Sequence, residues 1–133
     1  VAALKTLEIM EKLKSWEIIT KKGKYLNKQW LKIANKNNLK ININGLPSIS
    51  KFEIKSQYFQ SYKTYITQEM LKKGFLASNS VYLSVYHDKK VLDNYLDNLN
   101  KIFRDIKQCE QKEKNIDSLL NFPVSIKPFT RLN

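Results

Sequence analysis

The chain has 133 residues, 42% of them hydrophobic, which is the size and composition of one globular domain and excludes a disordered segment. Its formal net charge is +12, but the basic residues are spread along the chain and only Arg104 and Arg131 are arginines, so we expect a solvated lysine surface and no nucleic-acid partner. No apolar run approaches the roughly 20 residues of a membrane span, so no membrane partner is expected.

The N-terminal half predicts two helices followed by two strands. A helix over 2–14 has apolar residues on one face (Leu4, Leu7, Met10 and Leu13). Ser15 is predicted to cap a second helix over 16–37. Strict alternation then predicts half-buried strands at 39–44, LKININ, and 48–54, SISKFEI.

The C-terminal half predicts helix, strand, strand and helix. A helix of about eleven residues follows the polar stretch 57–61 and ends at Gly74, which suits a left-handed position after the last turn. Strands are predicted at Phe75-Leu76 and at 81–86. Asp88 is predicted to cap a long amphipathic helix over 88–112, and the tail after it shows no sustained period.

This order predicts one α+β domain in which helices cover a small, mostly antiparallel sheet. Helical periodicity begins almost at Val1, without an initiator Met, so we expect the chain to be a piece of a longer protein. A lone Cys109 allows no internal disulfide and suits a reducing, cytoplasmic location.

No self-contained catalytic signature is present, and we predict no catalytic residue and no metal site in this chain. Three glycines cannot supply a phosphate-binding glycine loop, and one His with one Cys cannot make a standard zinc site. His87 could act as a general acid or base, but its position before a helix favours a structural role. Cys109 is interpreted as a surface thiol rather than the partner of His87.

The stretch GFLASNSVYLSVYH, residues 74–87, contains the one polar cluster of interest, Ser78-Asn79-Ser80. Small hydroxyl and amide groups in a loop between strands can donate to a ligand phosphate or carboxylate, and equally they can simply form a turn. Physical reasoning leaves both readings open.

Several stretches in order resemble the C-terminal domain of class III pyridoxal-phosphate (PLP) aminotransferases, in the branch around glutamate-1-semialdehyde 2,1-aminomutase. AALKTLEIMEK resembles the family's linking helix, and LKININGLPSISKFEI resembles its glycine-led strand pair. YKTYITQEMLKKGFLASNSVYLSVYHDKKVLDNYLDNLNKIF resembles its helix, Gly-led strand, S-x-x-H strand end and final helix, with Gly74, Ser84 and His87 at the motif positions. The tail resembles an extension of aminomutase-like proteins from surface-sugar gene clusters.

The resemblance covers essentially the whole chain and implies the small domain of a fold-type I PLP enzyme. It implies a linking helix at 1–14, an α/β body at 15–112 and a C-terminal extension at 113–133. The Schiff-base lysine and the PLP-binding large domain would lie outside this chain, which would be inactive alone. The implied partners are the protein's own large domain, a homodimer mate and a small amino or keto substrate.

The resemblance also implies that Ser78, Asn79 and Ser80 line the substrate cleft and set specificity. Glutamate-1-semialdehyde enzymes carry a Phe-Glu pair in this loop, whereas this chain has a shorter loop with Asn79 or Ser80 at the matching place. Amino transfer on a sugar or another carbonyl compound is therefore as well supported as glutamate-1-semialdehyde chemistry.

Two further classes remain as alternatives to the enzyme domain. A basic nucleic-acid-binding module would bind with an affinity that falls steeply with salt. A non-catalytic interaction domain would associate tightly with another chain and need no cofactor.

Overall fold

A computed structural model describes residues 1–126. Five helices and three strands follow in the order α1 (Ala2–Leu13), α2 (Ser15–Lys36), β1 (Ile41–Asn44), β2 (Ile49–Ile54), α3 (Phe59–Lys72), β3 (Ser80–Tyr82), α4 (Lys89–Glu110) and α5 (Ile116–Leu119). The predicted α+β class is confirmed. None of the helices in residues 1–126 is long and apolar enough to cross a membrane.

The sheet has three antiparallel strands in the order β1-β2-β3. Ile43 pairs with Phe52 and Ile41 with Ile54, so the apolar positions of β1 and β2 share one face. Phe52 is fully buried and contacts the rings of Trp30, from α2, and Phe103, from α4, edge to face at 4.9 and 5.5 Å. The core therefore lies between the sheet and the long helices.

Helices α2 and α4 form because apolar residues recur at helical spacing, and both bury that stripe. In α2 the buried residues include Leu26, Trp30 and Ala34. Asp88 caps α4 as predicted, since its Oδ1 accepts from the backbone N–H of Val91 at 2.8 Å. Helix α1 differs, because none of its residues is buried.

The predicted cap at Ser15 is wrong. Lys14 occupies the N-cap position with left-handed angles, φ 47° and ψ 47°, and joins α1 to α2 without a side-chain cap. Ser15 is already inside α2, where it is buried and its hydroxyl has no hydrogen-bond partner among the described residues.

The predicted strand at Phe75-Leu76 is also wrong, because the end of α3 uses this segment. Gly74, at φ 81°, donates its N–H to Leu71 O, and Phe75 donates to Met70 O, which is the Schellman pattern of helix termination. Leu76 then has 95% of its surface exposed. Gly74 thus has its predicted left-handed role.

The strand predicted at 81–86 is only Ser80–Tyr82. After Tyr82 the chain turns on itself, because His87 donates its backbone N–H to Ser84 O. Helix α3 begins at Phe59, inside the polar stretch 57–61 that the sequence places before the helix.

The tail is held by polar side chains of α3. Gln68 donates from Nε2 to Leu119 O at 2.9 Å and accepts from Asn121 N at 2.7 Å. Thr64 Oγ1 accepts from Ser125 N at 2.8 Å. Since residues 64 and 68 lie on one side of a helix, α3 presents a polar track to the tail's backbone. Residues 127–133 of the predicted extension lie outside the described residues.

Candidate functional site

A groove of about 390 Å³ lies beside the third strand and the start of α4. It is lined by residues 74–77 and 80–82, by His87, and by Val91, Leu92 and Tyr95. The groove forms because the Schellman turn at Gly74 redirects the chain away from α3, and the 84–87 turn brings His87 back beside it. Residues spread over 22 positions of sequence thereby share one surface.

The S-x-x-H motif is a closed turn that fixes the imidazole. The backbone N–H of Ser84 donates to His87 Nδ1 at 3.2 Å, and the N–H of His87 donates to Ser84 O at 3.2 Å. Ser84 Oγ also accepts from the N–H of Tyr86. His87 therefore does bond backbone groups, within the turn that precedes α4, and its ring is a wall of the groove.

The three polar candidates occupy different environments. Ser80 lines the groove. Asn79 is buried and pairs with Phe52 twice, donating from Nδ2 to its carbonyl at 2.9 Å and accepting from its N–H at 2.9 Å. The hydroxyl of Ser78 is buried without a partner in the described residues. In this structure Asn79 fastens the loop to β2, and Ser80 alone of the three borders the groove.

Lys22, from α2, holds this turn, and no motif in the sequence indicates that contact. Its Nζ donates to Val85 O at 2.6 Å across 63 residues of sequence. At the start of α4, the carboxylate of Asp93 accepts a hydrogen bond from the Tyr25 hydroxyl at 2.9 Å and another from Lys89. The hydrogen bonds from Lys89 and then from Tyr25 hold the pKa of the Asp93 carboxyl below its usual value.

His87 and Leu92 separate the groove from a second concavity of about 300 Å³, which also contacts Lys21, Lys22 and Lys89. The charged side chains of this region therefore lie on the far side of the imidazole. Apart from the imidazole, the groove is lined by uncharged side chains.

Cys109 and His87 cannot act together. His87 precedes α4 and Cys109 lies near the end of that 22-residue helix, roughly 30 Å away at 1.5 Å per residue. Burial raises the pKa of the Cys109 thiol, which disfavours the reactive thiolate.

The chain was compared with protein-family models, with curated proteins and with solved structures. No protein-family model matches the chain, and no curated protein matches it. It is similar to the solved Sphingopyxis sp. MTA144 FumI protein in its PLP internal aldimine form, with a TM-score of 0.71 and 16% identity. The match covers 90% of this chain and 29% of that chain, so this chain spans less than a third of the neighbour's length. At this identity the likeness establishes the fold, which is one found within a PLP-bound protein.

Proposed function

We propose that this chain is the C-terminal small domain of a class III PLP-dependent aminotransferase, of the type that resembles glutamate-1-semialdehyde 2,1-aminomutase. Its role is to close one side of an active-site cleft and to shape substrate specificity. The observation that supports this proposal is the fold. The match to the PLP-bound neighbour covers 90% of this chain and 29% of the neighbour's chain. The order of the family-like motifs along the sequence supports it independently.

The described residues do not fit a PLP site by themselves. A Schiff-base lysine must reach the cofactor, and the side chains that line the groove include neither a lysine nor a carboxylate for the pyridinium nitrogen. In this proposal the cofactor and the catalytic lysine belong to a large domain elsewhere in the polypeptide, and no chemical step is assigned to this chain.

The chain's own contribution is to line the cleft. Ser80 and His87 supply polar groups at the groove, and Phe75, Val91 and Leu92 supply apolar walls that exclude water. Asn79 supports this wall through its two bonds to Phe52, and Ser78 precedes it in the same loop. The carboxylate of glutamate-1-semialdehyde enzymes has no counterpart at Asn79 or Ser80, so the proposed reaction extends to amino transfer on sugars or other carbonyl compounds. Homodimerisation and a cytoplasmic location complete the proposal.

The test is the visible absorbance of the intact gene product after incubation with PLP and removal of the unbound cofactor by gel filtration. We expect a yellow protein whose band borohydride abolishes, because reduction fixes the cofactor covalently. Peptide mapping should then find the reduced cofactor on a lysine outside these 133 residues.

The matched control is the 133-residue chain alone, which should stay colourless after the same treatment. A colourless intact protein would contradict the proposal, and so would a reduced cofactor mapped to a lysine of this chain.

A further inference from the structure

The groove combines aromatic rings with a few uncharged polar side chains and the imidazole of His87. Its aromatic rings come from Phe75, Tyr82 and Tyr95, and its polar side chains include Ser80 and His87. An anionic group of a ligand that packs against these rings would lose part of its water without gaining a counter-charge from the lining side chains, which is unfavourable.

Two lysines beside His87 are already engaged elsewhere. Lys22 donates to Val85 O at 2.6 Å, and Lys89 is paired with Asp93, which the Tyr25 hydroxyl also binds. Lys22 and Lys89 line the second concavity, on the other side of His87. They therefore provide no counter-charge for a carboxylate in the groove.

The imidazole of His87 is held in one tautomer. Because the N–H of Ser84 donates to Nδ1, the neutral ring must carry its proton on Nε2. The hydrogen bonds of residues 1–126 include none from Nε2, which leaves this N–H free to donate, and the ring itself borders the groove. The 84–87 turn and the Lys22 bond to Val85 fix the ring's position before any ligand arrives.

We propose that this groove binds a neutral, hydroxyl-bearing ring of the substrate, and that the Nε2–H of His87 is the donor that orients it. Aromatic side chains pack against the C–H face of such a ring, while Ser80 and His87 bind its hydroxyl groups. This inference rests on the proposed function, since it names the substrate class of the same cleft.

His87 is the chain's single histidine, so isotope-labelled histidine gives one unambiguous signal in nuclear magnetic resonance. With the 133-residue chain at mildly alkaline pH, we expect the proton on Nε2. Methyl β-D-glucopyranoside should shift the signal in a saturable manner. Methyl β-D-glucuronide, the same ring with a carboxylate, should bind about tenfold more weakly because its charge is desolvated without a partner.

Val91 is the test position, because its side chain is 40% exposed at the groove edge. Val91→Lys should reverse the preference in favour of the glucuronide, whereas Leu31→Lys, which adds the same charge at an exposed position of α2 outside the groove lining, should preserve the wild-type order. Far-ultraviolet circular dichroism confirms that both variants are folded.

Any of three results would overturn the inference. The first is a proton on Nδ1, the second is a glucuronide that binds as tightly as the glucoside, and the third is a His87 signal that neither probe shifts. An intact protein that carries PLP but fails this test refutes the ring assignment alone. An intact protein without PLP refutes the proposed function, whatever the probes do.

Discussion

Gly23, in the middle of α2, lies directly against the backbone of the loop before β2. A Cβ atom at this position would stand 1.8 Å from the carbonyl oxygen of Pro47. Gly74 has the opposite requirement, because a Cβ there would meet nothing within 4 Å but its φ of 81° is left-handed. One glycine is needed for space and the other for its backbone angles.

Alanine at each glycine separates these two causes. Gly74→Ala should lower the free energy of unfolding by about 1 kcal/mol, the cost of a left-handed alanine. Gly23→Ala should lower it by about 3 kcal/mol, because α2 must move away from Pro47. Urea denaturation of both variants measures the difference, and equal losses would contradict the close approach seen at Gly23.

Buried tyrosines predict how stability depends on alkaline pH. Burial raises the pKa of Tyr62, Tyr65 and Tyr95 well above the ordinary 10.0, and carboxylates of Glu110 and Asp105 add to the shift at the first two. Below pH 10 these phenols are protonated in both states, so their contribution to stability is complete. Above pH 10 only the unfolded chain releases the protons, so the free energy of unfolding falls as pH rises.

Unfolding in urea at stepwise higher pH measures this fall, and Tyr65→Phe should make it shallower by removing one buried phenol. A phenolate absorbance that rises for all seven tyrosines while the protein is still folded would contradict the prediction.

At the scale of elements, the contact between the tail and α3 depends on two side chains that bind backbone groups. Gln68→Leu removes the bonds to Leu119 and Asn121, so the Asn121 amide should exchange with solvent at least about tenfold faster. Thr64→Val removes the acceptor for Ser125 and should accelerate that amide first. Hydrogen exchange measured at single amides distinguishes the effects of the two variants. Identical exchange rates along the tail in both variants would contradict this prediction, because they would mean that the tail opens as one unit.

The long helices and the first two strands could be predicted because their apolar residues recur with a helical or an alternating period. The strand at Phe75-Leu76 was predicted wrongly because local alternation does not reveal that Phe75 already donates to Met70 in the helix end. Helix α5 was missed since four residues are too few to show a period.

The candidate site was predictable only in part. The roles of Asp88 and Gly74 depend on residues within a few positions of each in the sequence, so the sequence alone predicts them correctly. By contrast, the bond from Lys22 to Val85 and the pairing of Asn79 with Phe52 join distant parts of the chain. Nothing in the spacing of those residues signals either contact.

At the scale of the whole molecule, the described core excludes α1. Leu7 in this helix is 60% exposed, whereas Leu99 in α4 is fully buried. Leu7→Ala should change the free energy of unfolding of the 133-residue chain by less than about 0.5 kcal/mol. Leu99→Ala, the matched control, should lower it by about 3 kcal/mol through the cavity it leaves. Comparable losses for the two leucines would show that α1 is part of the folding unit.

Lys14 is the single residue between α1 and α2, and its φ and ψ alone set the angle between the two helices. Because no side chain of α1 is buried, swinging α1 about this residue would break few contacts and leave the core intact. The direction of α1 relative to α2 is thus weakly constrained by the fold, so a partner surface that contacted α1 could set that direction at little energetic cost.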